Sequence, residues 1–512
     1  MKPHLLDVLA CPACASDLQL SSSPAAPVDG RSLPHPLTPS PLRREGEPDG
    51  IDSPLHASGE GRGGEAHTTS GGDEIISGEL LCNGCGRTYP ITEGIPRLLS
   101  QTTQSASVTN TYGSFFMRRR SNFLAPGSNF PLSQAIIKGF EPADYESGWC
   151  LEIGAGLGRL TTLLASHFLG KDAQLVCLEP SSGIDLARRN LADYPNIHWV
   201  QGDATHLPLK RAAFRTVVLQ GVLPHIPADH VQLLKAAADI LMPGGTVQIN
   251  SSWYPFPGLE RRFRQIRRLV AVFPALLIPL VSALFATISP LTFKRFGNMQ
   301  PFIGFLHTFV YSPQQKWRLR YTQYEEILVT PVYEIFKSYD VICRELLAAG
   351  FGDLRLYSHA VSVKGTKGGD PRNPVEALGA SLKKSRVIIL GTGYMAHLTM
   401  QVLKAQGIDM QGWAAWESSA QATIDGKPIY HANQLPELQR QGCFDWLVVA
   451  TDYYLQPYDT IIRQLDEMGL RWNAHVTTFQ VVMSIFYSPH PPAPSPTRRE
   501  GEPARGSGSP SL

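Results

Sequence analysis

The sequence predicts an α/β protein built on parallel strands with helices wound on both faces, and three observations carry that expectation. From Cys150 onward, apolar runs of strand length alternate with stretches of helical character. The first run, Cys150-Leu-Glu-Ile-Gly-Ala-Gly-Leu-Gly158, ends in a glycine turn that opens a helix-like segment from Arg159 to Phe168. A second strand, glycine turn and helix follow far downstream at Arg386-Val-Ile-Ile-Leu-Gly391-Thr-Gly393-Tyr-Met-Ala396.

The totals bound the partners. At roughly 150 residues per domain, 512 residues make about three domains. The 46 Lys and Arg against 44 Asp and Glu leave a net charge of +2, which gives no support for binding nucleic acid through a broad basic face. Eight cysteines are too few for a disulfide scaffold, and four of them form two C-x-x-C pairs, which points to metal in a reducing compartment. Met1-Lys2-Pro3-His4 leads into only a short apolar run, so no signal peptide is read there and a cytoplasmic location is expected.

Composition divides the chain. Residues 21–77 and 488–512 are rich in Pro, Gly, Ser and charge with little to bury, and both are expected to be disordered. They also match each other: Pro34 to Pro48 and Pro489 to Pro503 are identical at 12 of 15 positions. A translated mobile repeat inserted twice is the favoured account, and a proline-rich partner motif is the alternative. What remains is a cysteine-bearing head (1–20 and 78–100), a connector (101–141), an α/β core (142–366) interrupted by an apolar and basic insertion (255–335), a linker (367–384) and a second α/β unit (385–484). Oligomeric state is not legible.

Cys11-Pro-Ala-Cys14 and Cys82-Asn-Gly-Cys85 are knuckle-type turns, each able to aim two sulfurs at one tetrahedral ion. The 67 residues between the pairs shrink to an ordinary ribbon spacing once the repeat-bearing insert is removed. With the flanks Leu5-Leu6-Asp7-Val8-Leu9-Ala10 and Tyr89 to Leu99, the head resembles the small zinc-ribbon family that activates methyltransferases, fused here in cis. The resemblance implies structural Zn2+ on Cys11, Cys14, Cys82 and Cys85 with no open position. Four reduced thiols, or a ribbon without metal, are the plainer alternative.

In the core, Leu175-Val-Cys-Leu-Glu179 is a second strand ending in an acid, 21 residues past Gly158. Val200-Gln-Gly-Asp203-Ala204 ends a third, Phe214 to Gln220 makes a fourth, and Leu241-Met-Pro-Gly-Gly-Thr-Val-Gln-Ile249 turns into a fifth. Phe351 to Tyr357 and His359 to Lys364 supply closing strands. A lone glycine turn is weak, since dinucleotide-binding folds share it. The ordered set resembles class I S-adenosylmethionine-dependent methyltransferases, which have a seven-stranded sheet with helices on both faces. That resemblance implies S-adenosyl-L-methionine as cofactor. Its methionine part would lie on Glu152, Gly154, Ala155, Gly156 and Gly158, its ribose on Glu179 and its adenine against Asp203 and Ala204, with Gln220 at the end of the fourth strand.

Thr111-Tyr-Gly-Ser-Phe-Phe116, Gly221-Val-Leu-Pro-His-Ile-Pro227 and Thr330-Pro-Val-Tyr333 look like bacterial methyltransferases with a fused zinc-ribbon head. Such enzymes act on small molecules or on surface glycan and lipid precursors. Where that family often has His-His, this chain has Pro224-His225, which leaves His225 as a weak candidate base beside the plainer reading of a loop histidine. Methylation of rRNA or tRNA, methylation of a sugar carbon, and a non-catalytic cofactor-binding scaffold are the alternatives.

The C-terminal unit resembles the Rossmann-like N-terminal domain of bacterial sugar acyltransferases. Gly391 and Gly393 would hold a nucleotide or sugar phosphate, but the acid expected after the second strand comes late, as Glu417, and an interaction domain without ligand is as good a reading. The insertion carries Leu269 to Ile288, 20 residues without a charge, preceded by Arg261, Arg262, Arg264, Arg267 and Arg268. Its length would span a bilayer. A single crossing is excluded, because the closing strands must rejoin the sheet that Cys150 began. Two readings stand: a helical lid over the site, or a peripheral hairpin touching the cytoplasmic face of the inner membrane through 261–311.

Overall fold

The central strand β5 (Ser147–Ile153) buries Cys150, Leu151, Glu152 and Ile153 in succession, the pattern of a strand covered on both faces. The computed structural model describes residues 1–21, 74–99, 139–226, 229–251, 259–295, 317–329, 337–357, 361–417, 422–450 and 458–486. The repeat-bearing tail, nearly all of the repeat-bearing insert and of the connector, and the motifs at 111–116 and 330–333 lie outside the described residues.

Parallel neighbours flank β5: β6 (Asp172–Leu178) and then β7 (Ile197–Gly202) on one side, β8 (Phe214–Gln220) and then β9 (Leu241–Ser251) on the other. The antiparallel strand β11 (Val361–Lys367) pairs with β9, and β10 (Phe351–Tyr357) pairs outside it. The order β7-β6-β5-β8-β9-β11-β10 is the seven-stranded sheet expected for the core. Side chains alternate between its faces. Cys150, Leu175, Cys177 and Val218 meet helices α1 (Arg159–His167) and α2 (Gly183–Asn190). Leu151, Ile153, Val176, Val217 and Ile249 meet α3 (His230–Ile240) and, beyond the insertion, α7 (Tyr339–Ala348).

The head does not sit apart from this sheet. Its strands β1 (Leu18–Leu20), β2 (Gly78–Cys82), β3 (Thr88–Thr92) and β4 (Ile95–Leu98) form an antiparallel meander. β4 then pairs in parallel with β7, Arg97 opposite Gln201 and Leu98 opposite Gly202, so head and core make one sheet of 11 described strands. A second seam runs beyond β7, where Leu9 bridges Leu209, Ala10 N–H donates to Pro208 O at 2.9 Å and Lys210 N–H to Val8 O at 2.9 Å. Glu74 and Ile75, placed in the repeat-bearing insert by composition, belong to the fold. Glu74 accepts from the Met1 amine at 3.1 Å and from Arg188 on α2 at 2.5 Å.

The insertion contributes α4 (Leu259–Val270), α5 (Pro274–Arg295) and α6 (Trp317–Val329), with α6 lying along α5. The uncharged run from Leu269 is not one helix: the chain turns at Ala271–Phe273, ahead of Pro274, so the run is shared between α4 and α5.

The stretch expected as a linker is corrected by α8 (Pro374–Leu382), in which Asn373 caps the Val375 N–H at 3.0 Å and Pro374 occupies the first turn. Val375, Leu378 and Leu382 recur on one face and are buried. The Gly/Lys/Pro content that suggested a linker belongs to residues 364–374, before the helix. The C-terminal unit is a second sheet of six described strands, β14-β15-β13-β12-β16-β17, in which β12 (Arg386–Leu390) lies between parallel β13 (Asp409–Ala415) and β16 (Trp446–Val449). The outer strands are β15 (Lys427–His431) with β14 (Thr423–Ile424), and β17 (Val476–Thr478). Its last helix, which includes Ser484, reaches the core, where the Tyr339 N–H donates to Ser484 Oγ at 3.2 Å. Trp472 Nε1–H and Asn473 Nδ2–H both donate to Leu356 O of β10, at 2.8 and 3.0 Å.

The fully buried Leu382 anchors α8 between the two sheets. Leu382→Ala should cost about 2–5 kcal/mol, read as a lower urea midpoint by circular dichroism. A loss below about 1 kcal/mol would mean that α8 is not part of the packed core.

Candidate functional site

The carboxyl ends of β5, β6, β7 and β8 line up, and each delivers one of the residues singled out from the sequence. The chain leaves β5 through Gly154 (φ +77°), whose N–H donates to Leu178 O at 2.7 Å at the end of β6. A Cβ on Gly154 would stand 2.4 Å from Val222 Cγ2, so the turn has room for backbone only. Gly158 caps α1 in the left-handed region, and a Cβ there would meet Leu191 Cδ1 at 2.7 Å. The turn presents backbone N–H groups at a helix N-terminus, where negative charge is favoured.

Glu179, the residue after β6, supplies that charge from a position only 6% exposed. Its carboxylate accepts from the Gly156 N–H and from the Ser181 N–H, each at 3.0 Å. Burial raises its pKa above the ordinary carboxylate range while these donors pull it back. Just after β7, Asp203 accepts from the Thr205 N–H at 2.9 Å and opens a short 3-10 turn that holds Ala204 in the interior. At the end of β8, Gln220 Oε1 accepts from Asn250 Nδ2–H. His225 lies on the next turn, Leu223–His225, three residues past the Val222 side chain that covers Gly154.

Glu152 is placed differently from its neighbours. It points into the protein beneath the turn, where it accepts from Thr161 Oγ–H of α1 at 2.6 Å and from the Cys177 thiol at 3.8 Å. Burial pushes its carboxyl up to about 7 against the help of those donors. It braces the turn against α1 from below.

Sequence reasoning passed over a buried polar ladder across β8, β9 and β11. Gln248 Nε2–H donates to Asn250 Oδ1 at 3.2 Å and to Ser362 Oγ at 2.9 Å, and Asn250 holds Gln220. Below it, Lys364 donates to Glu141 at 2.9 Å and to Asp144 at 2.6 Å. The only local trace was the alternation Gln248-Ile-Asn250, which by itself points to no partner strand.

In the head, the sulfurs of Cys11, Cys14, Cys82 and Cys85 all lie within 4.8 Å of one another. Cys11 Sγ is 3.7 Å from Cys85 Sγ and Cys14 Sγ is 3.4 Å from Cys82 Sγ. Four sulfurs on a tetrahedral zinc stand about 3.8 Å apart at the usual bond length, so the cluster fits such an ion. The Gly84 and Cys85 N–H groups both donate to Cys82 Sγ at 3.4 Å, and Tyr89 Oη lies 3.1 Å from Cys11 Sγ.

Comparison with known proteins agrees with both halves. Residues 150–245 match the family described as a methyltransferase domain, and residues 2–94 match the Trm112p-like proteins. The core is a class I S-adenosylmethionine-dependent methyltransferase domain. Over 116 residues the chain is 30% identical to a 2-phytyl-1,4-naphtoquinone methyltransferase of Thermosynechococcus vestitus, covering 22% of this chain and 51% of that protein. Over 81 residues it is 38% identical to a ribosomal RNA small subunit methyltransferase A of Synechococcus sp., covering 15% of this chain and 27% of that one. The chain thus spans about half the length of the first relative and about a quarter of the second. A solved S-adenosylmethionine-dependent methyltransferase of Thermotoga maritima is 18% identical, covering 50% of this chain and 95% of its own at a TM-score of 0.29. A phosphoethanolamine N-methyltransferase 2 of Haemonchus contortus is 24% identical over 32% of this chain and 37% of its own, at 0.23. Scores this low carry no likeness of the whole molecule.

Beside the methyltransferase domain's glycine turn, burial and the Arg267 cation of α4 lower His225 to about 3, so its imidazole is neutral at physiological pH. In the C-terminal unit, Gly391 (φ +125°) ends β12 and donates to Ala414 O at 2.9 Å, and Gly393 caps α9 (Tyr394–Ala405). His397 Nδ1 lies 3.0 Å from Gly393 O, and its ring rests on Trp413. Glu417 is exposed beyond the end of β13.

Glu152 makes the methyltransferase domain's stability depend on pH with a definite sign. Its folded pKa is raised above the unfolded one, so ionising it costs stability that is lost as pH rises from about 4.5 towards 8. Glu152→Gln keeps an acceptor for Thr161 and removes the ionisation. The variant should gain on the parent between pH 5 and pH 8 by up to about 3 kcal/mol in urea titrations. A difference independent of pH would show that Glu152 ionises normally.

Proposed function

We propose that this protein transfers the methyl group of S-adenosylmethionine to a small-molecule acceptor or to a glycan or lipid precursor of the cell envelope. The observation that carries the reading is the contact between the Gly156 N–H and the buried Glu179 carboxylate, with Asp203 on the neighbouring strand end. Backbone with no room for side chains and two buried acids on adjacent strands suit an adenosyl ligand. When bound, the cofactor supplies an electrophilic methyl on a sulfonium. Gly154, Ala155, Gly156 and Gly158 would hold its methionine part, Glu179 its ribose hydroxyls, and Asp203 and Ala204 its adenine.

Gln220, fixed by Asn250, and His225 lie on the side where an acceptor would enter. A neutral His225 does not repel a sulfonium, but with a pKa near 3 it is a poor proton acceptor. In-line attack on the methyl can proceed by positioning alone. Zinc on the four cysteines is closed to substrate, and its role is structural. Gly391 and Gly393 would take a nucleotide or sugar phosphate. The protein would work in the cytoplasm, with contact at the inner membrane through 261–311.

Calorimetry should show S-adenosylmethionine binding with micromolar-order affinity. Asp203→Ala, which removes an adenine contact, and Gly156→Val, at φ +56°, should each weaken it by roughly tenfold or more. Absence of heat in the parent with both S-adenosylmethionine and S-adenosylhomocysteine would end this reading.

Metal analysis should find a single zinc per chain, lost in the Cys82→Ser, Cys85→Ser variant. Because β4 is hydrogen bonded to the strand leading into Asp203, that variant should also bind the cofactor more weakly. Full zinc retention would refute the ligand set.

A further inference from the structure

The insertion exposes apolar surface where the rest of the fold hides it. Of the nine large hydrophobic residues exposed among the described residues, six lie between Leu269 and Leu284, and a seventh is Trp317. On α5 the exposed ones recur at Leu276 (67%), Leu280 (60%) and Leu284 (53%), one outward stripe running about 12 Å along the axis. The opposite face of the same helix, with Ser282 and Ala286, is buried, and α6 lies along it with Arg320 Nε–H donating to Ala286 O at 2.9 Å.

A helix apolar on both its inner and outer faces is unlike a surface helix of a soluble domain. The stripe continues one turn further to Thr287, where Trp317 Nε1–H donates to Thr287 Oγ at 3.1 Å and its exposed ring stacks on Tyr321. An indole with one polar and one apolar edge at the end of an aliphatic stripe suits the boundary between headgroups and acyl chains. Val272 and Phe273, in the turn between α4 and α5, extend the stripe at its other end.

The charge beside the stripe is of one sign. α4 carries arginines at 261, 262, 264, 267 and 268 against the single acid Glu260. They do not all serve the same purpose. Arg267 is buried and turned towards His225, whereas Arg268 is exposed, as is Arg318 next to Trp317. The inner side of α4 therefore brings the Arg267 charge near His225, while the outer surface of α4–α5 combines bare aliphatic residues with cations.

We propose that the stripe Leu269–Leu284, with Trp317 and the exposed arginines, docks this protein on the surface of an anionic lipid bilayer. No helix among the described residues is long and apolar enough to cross a membrane. β9 before the insertion and β10 and β11 after it belong to one sheet, so the chain returns to the side it left and the contact is monotopic. Arginine neighbours favour anionic over zwitterionic headgroups. The docked surface includes the outside of α4, whose inner Arg267 acts on His225, so docking would bring that side of the site towards the lipid. The docking needs neither cofactor nor methyl transfer, so its failure and the failure of the catalytic reading are separate results.

Flotation of the full chain with phosphatidylglycerol-containing vesicles and with pure phosphatidylcholine vesicles tests this. The parent should float with the anionic vesicles, weakly with the zwitterionic ones, and less at high salt. Leu276→Ser, Leu280→Ser, Leu284→Ser together should reduce flotation by roughly tenfold or more with an unchanged melting temperature, since all three are exposed. Arg261→Gln, Arg262→Gln, Arg264→Gln, Arg268→Gln, which spares the buried Arg267, should abolish the preference for anionic lipid. A polarity-sensitive fluorophore on Leu280→Cys should shift to the blue only when vesicles are added. A parent that ignores both vesicles, or binding that survives the serine variant, overturns the proposal. So does a fluorophore already blue-shifted without lipid, which would mean that residues 299–311 cover the stripe. A dimer that the serine variant dissolves would assign the stripe to a second copy instead.

Discussion

Parallel register is the constraint on which the rest of this molecule depends. Ile153 of β5 lies opposite Leu178 of β6 and Leu219 of β8, so the residues that follow, Gly154, Glu179 and Gln220, emerge side by side at one edge. A slip of one residue in any of these strands would turn its acid or amide to the other face. β7 is the exception: Leu178 faces Val200, yet β7 runs on to Gly202 before Asp203. There the Gly202 N–H still reaches Glu179 O at 3.4 Å, and on the opposite edge of β7 Leu98 of the head meets Gly202. The head thus pairs along the other edge of the strand that leads to Asp203, and the second seam at Leu9–Leu209 holds the chain just after Asp203 and Ala204.

This explains what was legible in the sequence. Strands such as Cys150–Ile153 and Leu175–Leu178 are short apolar runs ending in glycine or acid, a local pattern that marks both the element and its functional end. The four cysteines announced their convergence through two local turns. The pairing of β4 with β7 was not legible, because Arg97 and Gln201 carry no mark of their partnership and parallel neighbours far apart in sequence leave no periodic trace. The ladder Gln220–Asn250–Gln248–Ser362 was hidden likewise, since each residue looks unremarkable until three strands are laid together. The helix at Pro374–Leu382 was masked by the glycines before it, although Asn373-Pro374 is a sound helix start.

Two neighbouring cations of the insertion are placed in opposite surroundings. Arg267 and Arg268 are neighbours in sequence, yet one is buried towards His225 and the other faces outward. Helical geometry separates them by about 100°, enough to give α4 an inside and an outside. On the proposed docking, the lid and the lipid-facing surface would be two sides of the same helices.

The place where the repeat-bearing insert joins the head has a meaning of its own. β1 and β2 are adjacent antiparallel strands, with Leu20 opposite Leu80, and the Ser21 N–H donates to Glu79 O at 2.9 Å. Whatever lies between departs and returns at almost one point, on the far edge of the sheet from the glycine turn. Closing a longer loop across such a gate costs only about 0.6 kcal/mol for each doubling of its length. The gate is a natural graft point: evolution could accept foreign sequence there without redrawing the metal cluster, and a reporter domain could be threaded into the same place.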